Sequence, residues 1–147
     1  MGTKCSIGKE QKDGSVRYIY CDFDGYVDGV GKILNTYYTS PDVLDQLLGL
    51  GNIISLRAKL VPTSSRESDY HATVPYEGGP YLNEPYSSTE EYFKHVNPEV
   101  SFVDFRYLFT RDNKWVVKNE SIQFDHEDLY LQDLDFLFRI GQPIGDI

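Results

Sequence analysis

Residues 5–21 read CSIGKEQKDGSVRYIYC, and the way this stretch turns back on itself decides the fold. Lys12-Asp13-Gly14 is a turn signal between two runs of strand-forming residues. A three-residue loop, a type I turn followed by Gly14 in the left-handed region, sets Gln11 opposite Ser15. Continued outward, that register sets Ile7 against Ile19 and Cys5 against Cys21. One face then carries Cys5, Ile7, Ile19, Cys21 and Phe23; the other carries Ser6, Gly8, Tyr18, Tyr20 and Asp22. A two-residue loop would oppose Ile7 to Tyr20 and Cys5 to Asp22. That mixes the faces, so the longer loop is preferred. The two cysteines become a buried, reduced cross-strand pair, as a cytosolic location would have it.

A second hairpin is expected from residues 100–110 and 114–119, around Arg111-Asp112-Asn113. Asn113 takes the left-handed position that Gly14 takes in the first. Phe109 then faces Trp115, and Tyr107 faces Val117.

Helices fill the space between. Val30, Ile33, Leu34 and Tyr37 follow helical spacing. Ser40-Pro41 starts a second helix, with Ser40 as N-cap and Pro41 in the first turn. Its buried stripe is Val43, Leu44, Leu47 and Leu48, and Gly49 or Gly51 ends it. Ile53, Ile54 and Leu56 pack as the chain leaves. Residues 57–87 form a long irregular segment rich in Pro, Gly, Ser and Tyr, with an edge strand at 71–76 limited by Pro75. Ser88 and Glu91 make a capping box for a short helix to about His95. Beyond the second hairpin, Asp125 could cap a helix carrying Tyr130, Leu134, Leu137 and Phe138. The order predicts an α+β fold in one domain, residues 1–147. Its antiparallel sheet is built from two β-hairpins, about 3–23 and 100–119, with helices packed on one face.

The formal net charge is −9. Direct nucleic-acid binding needs clustered Lys and Arg, so it is not expected. An acidic protein that binds a basic partner, or imitates nucleic acid, is permitted. From Glu120 onward seven acids face one base, Arg139. No signal-peptide pattern or membrane-spanning apolar run is found, and a cytoplasmic protein is the expectation.

The sharpest motif is Asp22-Phe23-Asp24-Gly25 at the end of an apolar strand. It resembles the first motif of haloacid dehalogenase-like phosphatases. That resemblance implies Asp22 as nucleophile, Asp24 as general acid and a divalent metal. The fit stops there. Tyr26 stands where the family has Thr or Val, and the family's strand lies in a parallel sheet rather than a hairpin. An EF-hand fails at its fifth, sixth and twelfth positions, which are Tyr26, Val27 and Ile33. A plainer reading makes Asp24-Gly25 and Asp28-Gly29 turn dipeptides, with Asp28 capping the next helix. Gly25, Gly29 and Gly31 precede that helix, where backbone amides can hold an anion. With Arg57, Arg66, Tyr70 and Tyr76 they would form a nucleotide site. His71, His95 and His126 lack zinc spacing. No metal site and no cofactor are expected.

Residues 1–56 resemble a group of small uncharacterised bacteriophage and prophage proteins. These begin Met-Gly-Thr and carry a Tyr-Cys-x-x-Asp-Gly-Tyr segment, then a helix and a Gly-Asp/Asn-Leu/Ile-x-Ser-Leu segment. Here the matching stretches are MGTKCSIG, YCDFDGYVDGVGKIL and GNIISL. Asp22-Phe23 and Val27 stand where the group has His-Trp and Pro. The position of Asp22 is often not acidic there, which speaks against a nucleophile. The resemblance implies a phage origin and no particular chemistry. The expected function is a non-enzymatic accessory protein in the host cytoplasm. It would bind and inhibit a bacterial host factor, a defence component, through Asp125, Glu127, Asp128, Asp133 and Asp135. The alternatives are a binder that sequesters a nucleotide signal and a metal-dependent phosphohydrolase using Asp22 and Asp24.

Overall fold

The computed structural model describes residues 3–61, 71–94, 103–120 and 131–139. Strands β1 (Cys5–Glu10) and β2 (Val16–Cys21) form the first hairpin, with Cys5 opposite Cys21 and Ile7 opposite Ile19. The Gln11 amide donates to the Ser15 carbonyl at 2.7 Å and the Gly14 amide to the Gln11 carbonyl at 3.0 Å. Gly14 has φ +91°, so the turn is the expected three-residue one.

The chain then makes one π-helical turn (Val27–Gly31), helix α1 (Lys32–Tyr37), helix α2 (Pro41–Gly49) and strand β3 (Ile53–Ser55). Ser40 caps α2, its hydroxyl accepting from the Val43 amide at 3.4 Å. Strand β4 (Val74–Pro75) is followed by α3 (Thr89–Lys94), whose Glu91 amide is capped by the Ser88 hydroxyl at 3.1 Å. Strands β5 (Phe105–Phe109) and β6 (Trp115–Asn119) form the second hairpin. Phe109 pairs with Trp115 and Tyr107 with Val117, and Asn113 has φ +60°. Strand β7 (Gln132–Asp133) leads into α4 (Leu134–Arg139).

Among the described residues these strands make one seven-stranded sheet, ordered β4-β3-β2-β1-β5-β6-β7. The expected antiparallel sheet is corrected here, because the sheet is mixed. β1 runs parallel to β5, and β2 parallel to β3. Two helices lie between Cys21 and Ile53, long enough to return the chain to the starting edge and send it the same way. The hairpins lie side by side through their first strands, which therefore point together.

Helices on one face only is the second correction. The main core packs Cys5, Ile7, Ile19, Tyr107 and Trp115 against the π-helical turn, α1, α2 and α4. The opposite face is also covered: Tyr92 and Phe93 of α3 pack on Val16, Tyr18 and Leu108. Strand β5 is buried along its whole length, which a strand sandwiched between two layers requires.

Two smaller expectations also change. Phe23 is 46% exposed, because the chain leaves the pleat after Cys21 and turns at Asp24, whose φ is +58°. Tyr38, not Tyr37, enters the core. It lies one residue past α1 in a non-helical conformation. Its hydroxyl donates to the Arg57 carbonyl at 2.7 Å, and its own carbonyl accepts from Trp115 Nε1 at 2.9 Å. The outermost strands are two residues each. No helix among the described residues is long and apolar enough to cross a membrane.

Candidate functional site

The acidic exit of β2 is built from backbone. The Asp22 and Phe23 amides bond to the Ile53 and Ile54 carbonyls, continuing the parallel pairing past the strand end. Asp24 then turns the chain, and its carbonyl accepts from the Val30 amide at 2.8 Å. The Gly25 amide donates to the Thr3 carbonyl at 2.8 Å, and the Gly29 and Gly31 amides both reach the Tyr26 carbonyl. These glycines are needed for close approach. A Cβ on Gly29 would overlap the Asp24 carbonyl oxygen, and one on Gly31 would lie 3.2 Å from the Tyr107 ring. Tyr107 seals the loop by donating its hydroxyl to the Gly25 carbonyl at 2.7 Å. The carboxylates lie outside this lattice. Asp22 approaches Lys4 at 3.7 Å, and Asp24 lies 3.5 Å from the Tyr26 hydroxyl. Asp28 falls within the π-helical turn, and the turn has no side-chain cap. Among the described residues no group of three or more His, Cys, Asp or Glu is placed to hold a metal ion.

Arg57 and Tyr76 belong to the β3–β4 side of the sheet. The Arg57 amide donates to Thr73 Oγ1 at 3.1 Å, and the Tyr76 amide to the Asn52 carbonyl at 3.3 Å. The glycine loop packs instead on Thr3, Cys5 and Tyr107, at β1 and β5. Arg66 and Tyr70 lie outside the described residues, as do Asp125, Glu127 and Asp128. Asp133 caps α4, its carboxylate accepting from the Phe136 amide at 3.2 Å. Asp135 is exposed and pairs with Arg139 one turn on, at 3.3 Å. Phe136 beside it is 55% exposed.

A tyrosine cluster on the second face was not anticipated as a unit. Tyr18 stacks on Tyr86 with ring centroids 4.8 Å apart, and Tyr92 lies within 6 Å of both rings. Tyr92 is fully buried; it donates to the Tyr107 carbonyl and so accepts from Ser6 Oγ, both at 2.7 Å. Burial raises the Tyr18, Tyr86 and Tyr92 phenols above their ordinary range, so they are neutral hydrogen-bonding groups at physiological pH. Beside them the buried Arg106 Nε contacts Glu120 at 3.0 Å, and Lys118 joins the same carboxylate at 3.2 Å. The signal was the alternation of Tyr18 and Tyr20 with Ile19, which marks a second aromatic face.

Cys5 and Cys21 are both buried free thiols. Burial pushes the Cys5 thiol well above its usual range, which suppresses the thiolate that nucleophilic chemistry needs.

No family model matches the chain, and neither a curated protein nor a solved structure is significantly similar to it.

Proposed function

We propose that this is a non-enzymatic, phage-encoded accessory protein. It acts in the host cytoplasm by binding and inhibiting a bacterial host factor, a component of the host's defence. One observation carries the reading. The charge of −9 is concentrated from Glu120 onward, where seven acids face one base. A surface of that sign steers toward basic partners and competes with phosphate for them. Phe136, exposed beside Asp135, would add an apolar contact to such an interface.

Capture from host lysate at low and high salt tests this. The expected result is a partner retained at low salt and released at high salt. Replacing Asp125, Glu127, Asp128 and Asp135 together with Asn or Gln abolishes its capture. Asp133 is changed separately, because its carboxylate also caps α4. Undiminished capture by the neutralised variant refutes the charge-mimic mechanism. A thermal shift with a nucleotide, in place of protein capture, would favour sequestration of a nucleotide signal.

A further inference from the structure

The carboxyl ends of β1 and β5 border an opening. These parallel strands are neighbours, yet the chain leaves them in opposite directions: β1 turns back into β2, and β5 turns back into β6 on the other side. The two hairpin turns diverge, and a crevice opens beyond the strand ends beside them. Here the crevice measures about 750 Å³, within the range of small-molecule sites. The end of β1 and its turn line one side, the end of β5 another, and Pro41 and Asp45 of α2 a third. Both turns are held by left-handed residues, Gly14 and Asn113.

The charges of this crevice balance. It is lined by three cations, Lys9, Lys12 and Arg111, and three acids, Glu10, Asp13 and Asp45. Lys9 Nζ meets Asp45 at 2.9 Å. Glu10 receives both the Arg111 amide at 3.1 Å and its guanidinium at 3.4 Å, which ties one strand end to the other. Asp13 is oriented by the Ser15 amide and hydroxyl at 2.9 and 2.6 Å. A multiply charged anion would meet three fixed carboxylates in a chain of net charge −9. A ligand carrying one charge of each sign meets a partner for both. A smaller recess of about 260 Å³ adjoins, sharing Gln11 and Ser15 with the crevice and adding Arg17 and Asn83 beside Tyr18, Leu48, Leu82 and Pro85.

We propose that this crevice binds a small zwitterion with an apolar side chain, of the amino-acid or dipeptide class. The ligand's carboxylate lies among Lys9, Lys12 and Arg111, its ammonium faces Glu10, Asp13 and Asp45, and its side chain enters the recess. The site uses none of the residues assigned to the host-factor surface and stands independently of it.

Amide NMR titration of the full chain tests this, with Gly-Gly, Gly-Leu and Gly-Phe as probes and with inorganic phosphate and ATP as controls. Gly-Leu and Gly-Phe are expected to move the amides of residues 9–15, 42–45 and 109–113, and to bind more tightly than Gly-Gly. Phosphate and ATP leave those amides in place. Lys12→Gln and Arg111→Gln, both on exposed turn residues, each weaken Gly-Leu binding about tenfold by removing a charged hydrogen-bond donor. Their otherwise unchanged spectra establish that the fold is kept. The proposal is overturned if no dipeptide moves these amides, if phosphate or ATP moves them as strongly, or if both variants bind like the parent.

Discussion

Tyr92 joins three parts of the molecule through one oxygen. Its hydroxyl connects α3 to Ser6 of β1 and to the Tyr107 carbonyl of β5. Tyr92→Phe keeps the ring and removes both buried hydrogen bonds of the hydroxyl. It is expected to cost about 1–3 kcal/mol, read as a lower urea midpoint at unchanged slope. Adding Ser6→Ala should then cost little more, because the bond it would break is already gone. Two glycines give an opposing pair. Gly29→Ala forces a methyl group onto the Asp24 carbonyl and should lower stability by about 2 kcal/mol or more. Gly49→Ala meets no atom within 4 Å at the last residue of α2, and should raise stability by about 0.5–1 kcal/mol. Thermal melts of the two variants, run side by side, should move in opposite directions.

At the scale of elements, the hairpins were legible because their signals are local. Alternating apolar residues and a glycine at the right offset fix both the turn and every pair after it, from Gln11–Ser15 to Cys5–Cys21. Gly14→Ala tests that dependence: at φ +91° a Cβ costs about 1–2 kcal/mol. Asn113→Gly in the second turn relieves the same strain and should be neutral to stabilising. Equilibrium denaturation of both variants checks the pair. The caps at Ser40 and Ser88 were legible for the same reason. The mixed sheet was not. Cys5 pairs with Phe105 across most of the chain, and no short-range pattern marks such a contact. Ile53–Ser55 is three residues long, too short for alternation to show. The one available clue was the near-continuous apolar run of β5, since a strand with one solvated face would alternate. In the acidic exit, the need for small residues near the helix could be read from the glycines. That their amides bond to Thr3 and Tyr26 could not, because it depends on how the turn folds onto β1.

Taken as a whole, the molecule is held by buried phenols on both faces of its sheet. Burial raises the Tyr18, Tyr38, Tyr86, Tyr92 and Tyr107 phenols above the ordinary value near 10. In the unfolded chain they ionise at that ordinary value, so as pH rises the unfolded state releases protons first. Their contribution to stability is therefore complete below about pH 10 and declines above it. Absorbance at 295 nm should show these tyrosines ionising in step with the loss of circular dichroism, above the pH at which the exposed ones titrate. Early ionisation without unfolding would contradict their burial.

The narrow margins of the sheet have a consequence for self-association. A broad sheet normally offers its last strand as a template on which a second molecule can add. Among the described residues one margin ends in a proline that has no amide to give, and the other in an aspartate that repels its own kind. The protein should therefore stay monodisperse as its concentration rises, even with β-rich hairpins at its centre. Replacing Pro75 with Val restores a donor on β4, and light scattering on concentrated samples should then detect the first aggregates.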